Sequence, residues 1–144
     1  MQMTPDKKKN KLYIVVPCYN EEQVLGETSK RLKIKCKNLI QKGQISKDSK
    51  IVFVDDGSKD RTWKMISELH ETDPLFSGVK LSRNRGHQNA LLAGLTMASE
   101  HADMAISMDA DLQDDINAVD QMIEKYYEGC DIVYGVRSAR ETDT

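Results

Sequence analysis

The 144-residue sequence has no stretch approaching the ~20 consecutive apolar residues that cross a bilayer, so no membrane span is expected within it. Its opening stretch, MQMTPDKKKNK, lacks the apolar centre of a signal peptide and reads as a flexible, solvated basic leader over residues 1–11. Net charge is only −2, which leaves no case for a nucleic-acid partner. The three cysteines, Cys18, Cys36 and Cys130, are odd in number, far apart and without metal-type spacing. They fit reduced cytoplasmic thiols buried as small hydrophobes, not a disulfide framework or a zinc site. Internal repeats, linkers and low-complexity segments are also missing. With 39% hydrophobic and 31% charged residues, the chain is expected to be soluble, with room for one domain around one core.

What is present is a regular alternation of strand and helix. LYIVVPCYN (12–20) is an apolar, β-rich run closed by Pro17, of the kind buried on both faces. Asn20, with Gln23 three residues on, has the form of a capping box. It predicts a helix whose period runs through Val24, Thr28, Leu32, Cys36, Leu39 and Ile40 to about Gly43. KIVFVDD (50–56) is a second buried strand, GSKDRT its exit turn, and Asp60 the expected N-cap of a helix through Trp63, Ile66 and Leu69. SGVKLS (77–82) is a third strand. RNRGHQNALLAGLTMASE is a loop entering a helix, and its Ala90, Gly94 and Ala98 form a stripe that lets the helix lie close on a sheet. DMAISMD (103–109), DDINAVDQMIEKYYEG and DIVYGV (131–136) supply a fourth strand, a fourth helix and a fifth strand. The pattern predicts an α/β fold, a mostly parallel Rossmann-like sheet with helices on both faces.

Ligands of such sheets bind beyond the carboxyl ends of the strands. The strand exits PCYNE, VDDGS, SRNRGH, MDADLQ and GVRS are therefore expected along one edge. In DADLQ, extended geometry would put Asp109, Asp111 and Gln113 on one side. They offer only oxygen donors, which suits Mg²⁺ or Mn²⁺, with the remaining positions left to water or substrate phosphates. A helix cap explains one or two of the acids at 109, 111, 114 and 115, but four within seven residues repel unless a cation offsets them. The VDDGS pair can bind a metal, accept from a ribose or a base N–H, or shape a turn. Arg83 and Arg85 are candidate phosphate partners or a solvated face, and Gly86 with the helix start behind it would attract an anion. Tyr19 can stack on a base or pack. Lys30, Arg31, Lys33, Lys35 and Lys37 form a basic helix that either faces an anionic bilayer or is simply solvated.

Together VVPCYNEE, VFVDDGSKDRT, LSRNRGHQNALLAGL, MDADLQDD and IVYGVRSAR resemble, in order and spacing, the family 2 glycosyltransferases of the GT-A fold. The likeness is greatest to the polyprenyl-phosphate (dolichyl- and undecaprenyl-phosphate) sugar transferases and covers residues 12 to about 140. It implies that Pro17, Tyr19 and Glu21 line a nucleotide pocket and that Asp55 receives the base N–H; Arg83, the candidate phosphate partner, is counted with these nucleotide-binding residues. Asp109 and Asp111, the family's DXD element, would hold ribose, metal and diphosphate, with Gln113 as a further metal ligand. Arg137 would meet the acceptor's phosphate. QDDIN departs from the family's usual proline-containing continuation.

The implied reaction moves a sugar from a nucleoside-diphosphate sugar, expected to be a UDP-sugar, to a polyprenyl phosphate. The resemblance implies an inverting, metal-assisted displacement at the cytoplasmic face of a membrane. Asp109, Asp111 and Arg137 are its expected catalytic residues. A lipid phosphate is already an anion and needs less help from a general base than a hydroxyl would. Residues 12–144 are expected to be the donor-binding part of such an enzyme, incomplete on the acceptor side, where further chain would contact the membrane. The alternatives are a glycosyltransferase-like module that binds nucleotide without transfer and a receiver-like signalling module. Against the receiver stand an acid pair on the second strand instead of the first and no lysine after the fifth.

Overall fold

The structure, a computed structural model, describes residues 10–112 and 116–128. The strand expected over 131–136, Cys130 and most of the basic leader lie outside the described residues. In chain order the elements are β1 (Leu12–Cys18), α1 (Leu25–Gln41), β2 (Lys50–Asp55), α2 (Thr62–Thr72), β3 (Phe76–Lys80), α3 (His87–His101), β4 (Met104–Ser107) and α4 (Ala118–Tyr127). The strands form one sheet in the order β3-β2-β1-β4, with all neighbours parallel. Tyr13–Cys18 runs beside Lys50–Asp55, and Leu12–Val15 beside Met104–Ser107.

Every residue of β1 is buried, because alternate side chains enter two different cores. Leu12, Ile14, Val16 and Cys18 pack with apolar residues of α1, α2 and α4. Tyr13 and Val15 join Val52 and Val54 beneath Ala90 and Ala98 of α3. The expected small-residue stripe does what its spacing predicts. A Cβ on Gly94 would collide with Val15 and lie 2.8 Å from Cγ2 of Val54. Only hydrogen fits between α3 and the sheet at that point. Cys18 and Cys36 are free and buried, as expected.

Two helix starts differ from expectation. Asn20 is not a cap: it takes a left-handed φ of 52°, and α1 opens only at Leu25 behind Val24. Its side-chain oxygen is taken instead by the backbone N–H of Lys59 at 2.8 Å. The N-cap position of α2 is Arg61, not Asp60; Asp60, one residue ahead, accepts the N–H of Thr62 at 2.9 Å and its hydroxyl at 2.6 Å.

The chain winds outward from β1 through β2 to β3, then returns by α3 to place β4 on the other side of β1. The strand order therefore reverses between β1 and β4, where a crevice opens at the carboxyl ends. Receiver domains have the order 2-1-3-4-5. The observed order and the position of the acid pair at the end of β2 overturn that alternative. Among the described residues no helix is long and apolar enough to cross a membrane.

Candidate functional site

A cleft of about 350 Å³ lies at the β1/β4 reversal, lined among others by Pro17, Tyr19, Glu21, Asp56, Asp109 and Asp111. Its first wall is the exit of β1. The N–H of Asn20 donates to Oγ of Ser58 at 2.8 Å, and that of Glu21 to Oγ1 of Thr62 at 2.9 Å. The N–H of Glu22 reaches Oδ2 of Asp60 at 3.2 Å. The YNEE turn is thus pinned along the GSKDRT turn, which leaves Tyr19 43% exposed at the mouth of the cleft. Burial pushes the Asp60 carboxyl up, but hydrogen bonds from Thr62 and the Glu22 amide outweigh it and hold the group below its ordinary range.

The second wall starts at the end of β2. Asp55 is fully buried and does not line the cleft. One of its oxygens accepts the N–H of Ser58 at 3.2 Å, and the other has no hydrogen-bond partner among the described residues. Asp56, the next residue, faces the cleft. Its two oxygens accept the N–H groups of Arg85 at 2.6 Å and Gly86 at 3.1 Å. Gly57, at φ 71°, lets the loop approach: a Cβ there would collide with the Asn84 amide and sit 2.5 Å from the Arg83 carbonyl carbon. Asp56 thus places a carboxylate beside the turn that enters α3. Asn84, Gly86 and His87 line the cleft, whereas Arg83 is exposed and is not among its lining residues.

The third wall is the exit of β4. The N–H of Met108 still bonds Val15, but the chain then turns at once. The N–H of Leu112 donates to the carbonyl of Asp109 at 3.0 Å, with Leu112 at φ 50°. This corrects the expectation of an extended backbone over 109–112. The turn nevertheless brings both Asp109 and Asp111 to the cleft. Oγ1 of Thr28 on α1 donates to the carbonyl of Ala110 between them. Burial first, then the charges of Asp111 and Asp60, hold the Glu21 carboxyl above its ordinary range. Cys18, at the floor, has its thiol pushed far up by burial and by Glu21 and Asp55, so it is protonated and no nucleophile.

Of the expected site residues, Pro17, Tyr19, Glu21, Asp109 and Asp111 come together, Asp55 and Arg83 stand outside the lining, and Gln113 and Arg137 lie outside the described residues. Among the described residues no three His, Cys, Asp or Glu side chains group closely enough to hold a metal by themselves. Two carboxylates on one turn still fit a hard cation, which keeps water and takes substrate phosphates as its other ligands. Asp56 was expected only as one of the VDDGS pair, and Asn84 and His87 only as part of the SRNRGH exit. The signal available for Asp56 was its place one residue beyond the end of β2. Of the basic row on α1, Lys33 and Lys37 pair with Asp73 at 3.1 and 3.7 Å and Lys35 with Asp120 at 2.7 Å. That engages three of the five in contacts within the domain.

Comparison with known proteins points the same way. The chain is 55% identical over 133 residues to the uncharacterized glycosyltransferase YkoT of Bacillus subtilis (strain 168), covering 92% of this chain and 40% of that protein. It is 39% identical over 135 residues to the bactoprenol glucosyl transferase of Shigella phage SfV, covering 92% and 41%. The chain thus spans about two fifths of the length of the curated relatives it matches. Among solved structures it resembles the mannosyltransferase PcManGT from Pyrobaculum calidifontis in complex with GDP-Man and Mn²⁺, with TM-score 0.54 and 26% identity over 72% of this chain and 28% of that one. S. aureus TarS 1-349 in complex with UDP-GlcNAc shares the fold, with TM-score 0.58 and 21% identity over 81% and 32%. Residues 13–144 match the family model for Glycosyl transferase family 2, and with its parallel sheet and acid-lined crevice the chain belongs to that family.

Proposed function

We propose that the chain forms the donor-binding part of a hexosyltransferase that moves a sugar from a nucleoside-diphosphate sugar to a polyprenyl phosphate with inversion. The observation that carries this reading is the cleft where Asp109 and Asp111 from the β4 turn meet Tyr19 and Glu21 from the β1 exit. Similarity to bactoprenol glucosyl transferases supports the lipid-phosphate acceptor, and the whole protein would act at the cytoplasmic face of a membrane. Similarity to a mannosyltransferase bound to GDP-Man and Mn²⁺ supports a nucleotide donor and a divalent cation.

In this assignment Pro17, Tyr19 and Glu21 line the nucleotide pocket, and the base N–H falls to the strand-end pair Asp55 and Asp56, both buried, of which Asp56 lines the cleft. Arg83, on the adjoining loop, is assigned to phosphate oxygens and Arg137 to the acceptor phosphate. Asp109 and Asp111, with Gln113, would hold Mg²⁺ or Mn²⁺. When bound, the cation offsets the charge that builds on the departing nucleoside diphosphate. The acceptor arrives as an anion, so the site needs no strong base to deprotonate it.

Calorimetric titration of UDP and GDP, with Mn²⁺ and with EDTA, tests the reading. Binding is expected only with the cation. Asp111→Asn weakens it, while Asp120→Asn, whose carboxylate is held by Lys35, leaves it unchanged. Equal affinity in EDTA would sink the metal assignment, and no binding of either nucleotide in either condition would sink the donor site.

A further inference from the structure

Two neighbouring hydroxyls near the start of α1 are both 3% exposed, yet they are used differently. Ser29 bonds within its own helix, Oγ donating to the carbonyl of Gly26 at 2.9 Å. That is the usual outlet for a hydroxyl in a helix. Thr28 instead reaches across the fold, and its Oγ1 donates to the carbonyl of Ala110, 82 residues away in the chain.

Ala110 lies between Asp109 and Asp111 and is 2% exposed. Its carbonyl shares one rigid peptide plane with the N–H of Asp111. Anchoring that oxygen therefore limits how the backbone can rotate where the Asp111 side chain branches off. Within the turn the N–H of Leu112 donates to the carbonyl of Asp109. The turn also carries Leu112 in the left-handed region, a conformation that a non-glycine residue holds only with support from its surroundings.

We infer that Thr28 is a positioning residue: through the Ala110 peptide it orients the Asp111 carboxylate, and so sets the affinity of the cleft for a divalent cation. The inference rests on the donor-site reading above. Thr28 itself would touch neither nucleotide nor cation.

Thr28→Val keeps the shape and removes the donor, leaving a buried carbonyl without its partner. Thermal unfolding confirms that each variant is folded. In the ligand-free chain, Thr28→Val is expected to quicken amide hydrogen exchange at Asp111 and Leu112. It also raises the Mn²⁺ concentration that half-saturates UDP binding by about tenfold or more, the scale for residues that orient metal ligands. Thr28→Ser restores both readouts, and Ser29→Ala, which deletes the neighbouring local bond, moves neither. Unchanged exchange in Thr28→Val would mean that Thr28 does not hold the turn. Quickened exchange with an unchanged Mn²⁺ requirement would mean that it holds the turn without positioning the carboxylate. Either result overturns the inference. A wild-type chain that binds neither UDP nor Mn²⁺ defeats the donor-site reading and with it the metal half of the inference. The exchange comparison would still decide whether Thr28 holds the turn.

Discussion

The Asp56 carboxylate holds the backbone N–H of Gly86 at 3.1 Å and that of Arg85 at 2.6 Å, so the turn leading into α3 is held from a strand end thirty residues earlier. The N-cap position of α3 is Gly86, which has no side chain to cap the helix. The same carboxylate thus fixes a cleft wall and a helix start. Hydrogen bonds to a buried charged group contribute about 1.5–3 kcal/mol. Asp56→Asn, which offers one oxygen and turns an NH₂ group toward a backbone N–H, is expected to lose about that much stability in urea denaturation. It should also weaken UDP binding. A stability change within about 0.5 kcal/mol, as at an ordinary surface position, would show that the loop stands without this carboxylate.

Two glycines separate packing from backbone freedom. Gly94 has no room for a methyl group against Val15 and Val54, whereas a Cβ on Gly26 would meet nothing within 4 Å. Gly94→Ala should cost about 1–3 kcal/mol through overpacking. Gly26→Ala, on the exposed face of α1, should stabilise by about 0.5–1 kcal/mol through helix preference. Equal midpoints for the two variants in the same denaturant series would contradict the close seating of α3 on the sheet.

The contrast between these glycines marks what could be read from residues alone. The Ala90, Gly94 and Ala98 stripe was legible because helix–sheet packing repeats with the helical period, and a run of small residues at that period has few other uses. The doubly buried strands were legible for the same kind of reason. Asn20 misled because a tertiary partner, the Lys59 N–H, took the oxygen that a local cap would have used. From Asp109 on, the alternation rule assumed an extended chain, but β4 ends at Ser107 and the backbone turns over 109–112. The choice between Asp55 and Asp56 depends on which residue first leaves the sheet. That follows from pairing, with Cys18 opposite Asp55, and adjacent identical residues carry no trace of it.

Glu21 gives the site a pH signature. Burial, then Asp111 and Asp60, raise its carboxyl above the ordinary 4.5 in the folded chain. A raised acid binds its proton more tightly folded than unfolded. Its contribution to stability is therefore full below the unfolded value and is lost as pH climbs through the folded one. Glu21→Gln removes this titration, so the variant should gain on the wild type as pH rises from about 4 to about 7. The gain is modest because the group is partly solvated. Urea denaturation across that range checks it, and a constant difference between the two proteins would show that Glu21 does not titrate abnormally.

Tyr19 bears on nucleotide identity. It stands 43% exposed at the mouth of a cleft of about 350 Å³, near the small end of ligand sites. A ring so exposed adds little to the core, so its removal should be felt by the ligand more than by the fold. Stacking a base on an aromatic ring is worth about 1–3 kcal/mol by alanine substitution and does not depend on which base is stacked. Tyr19→Ala should therefore weaken UDP and GDP binding alike, and Tyr19→Phe should weaken neither. Preference between the two falls to the strand-end acids Asp55 and Asp56 and the size of the cleft. A short carboxylate suits the single N–H of a pyrimidine, and a small cleft favours the smaller base, so UDP is expected to bind more tightly than GDP. Calorimetry that finds GDP bound at least as well removes the preference for uridine but leaves the stacking role intact. A Tyr19→Ala chain that binds both nucleotides like the wild type removes the stacking role, whichever base is preferred.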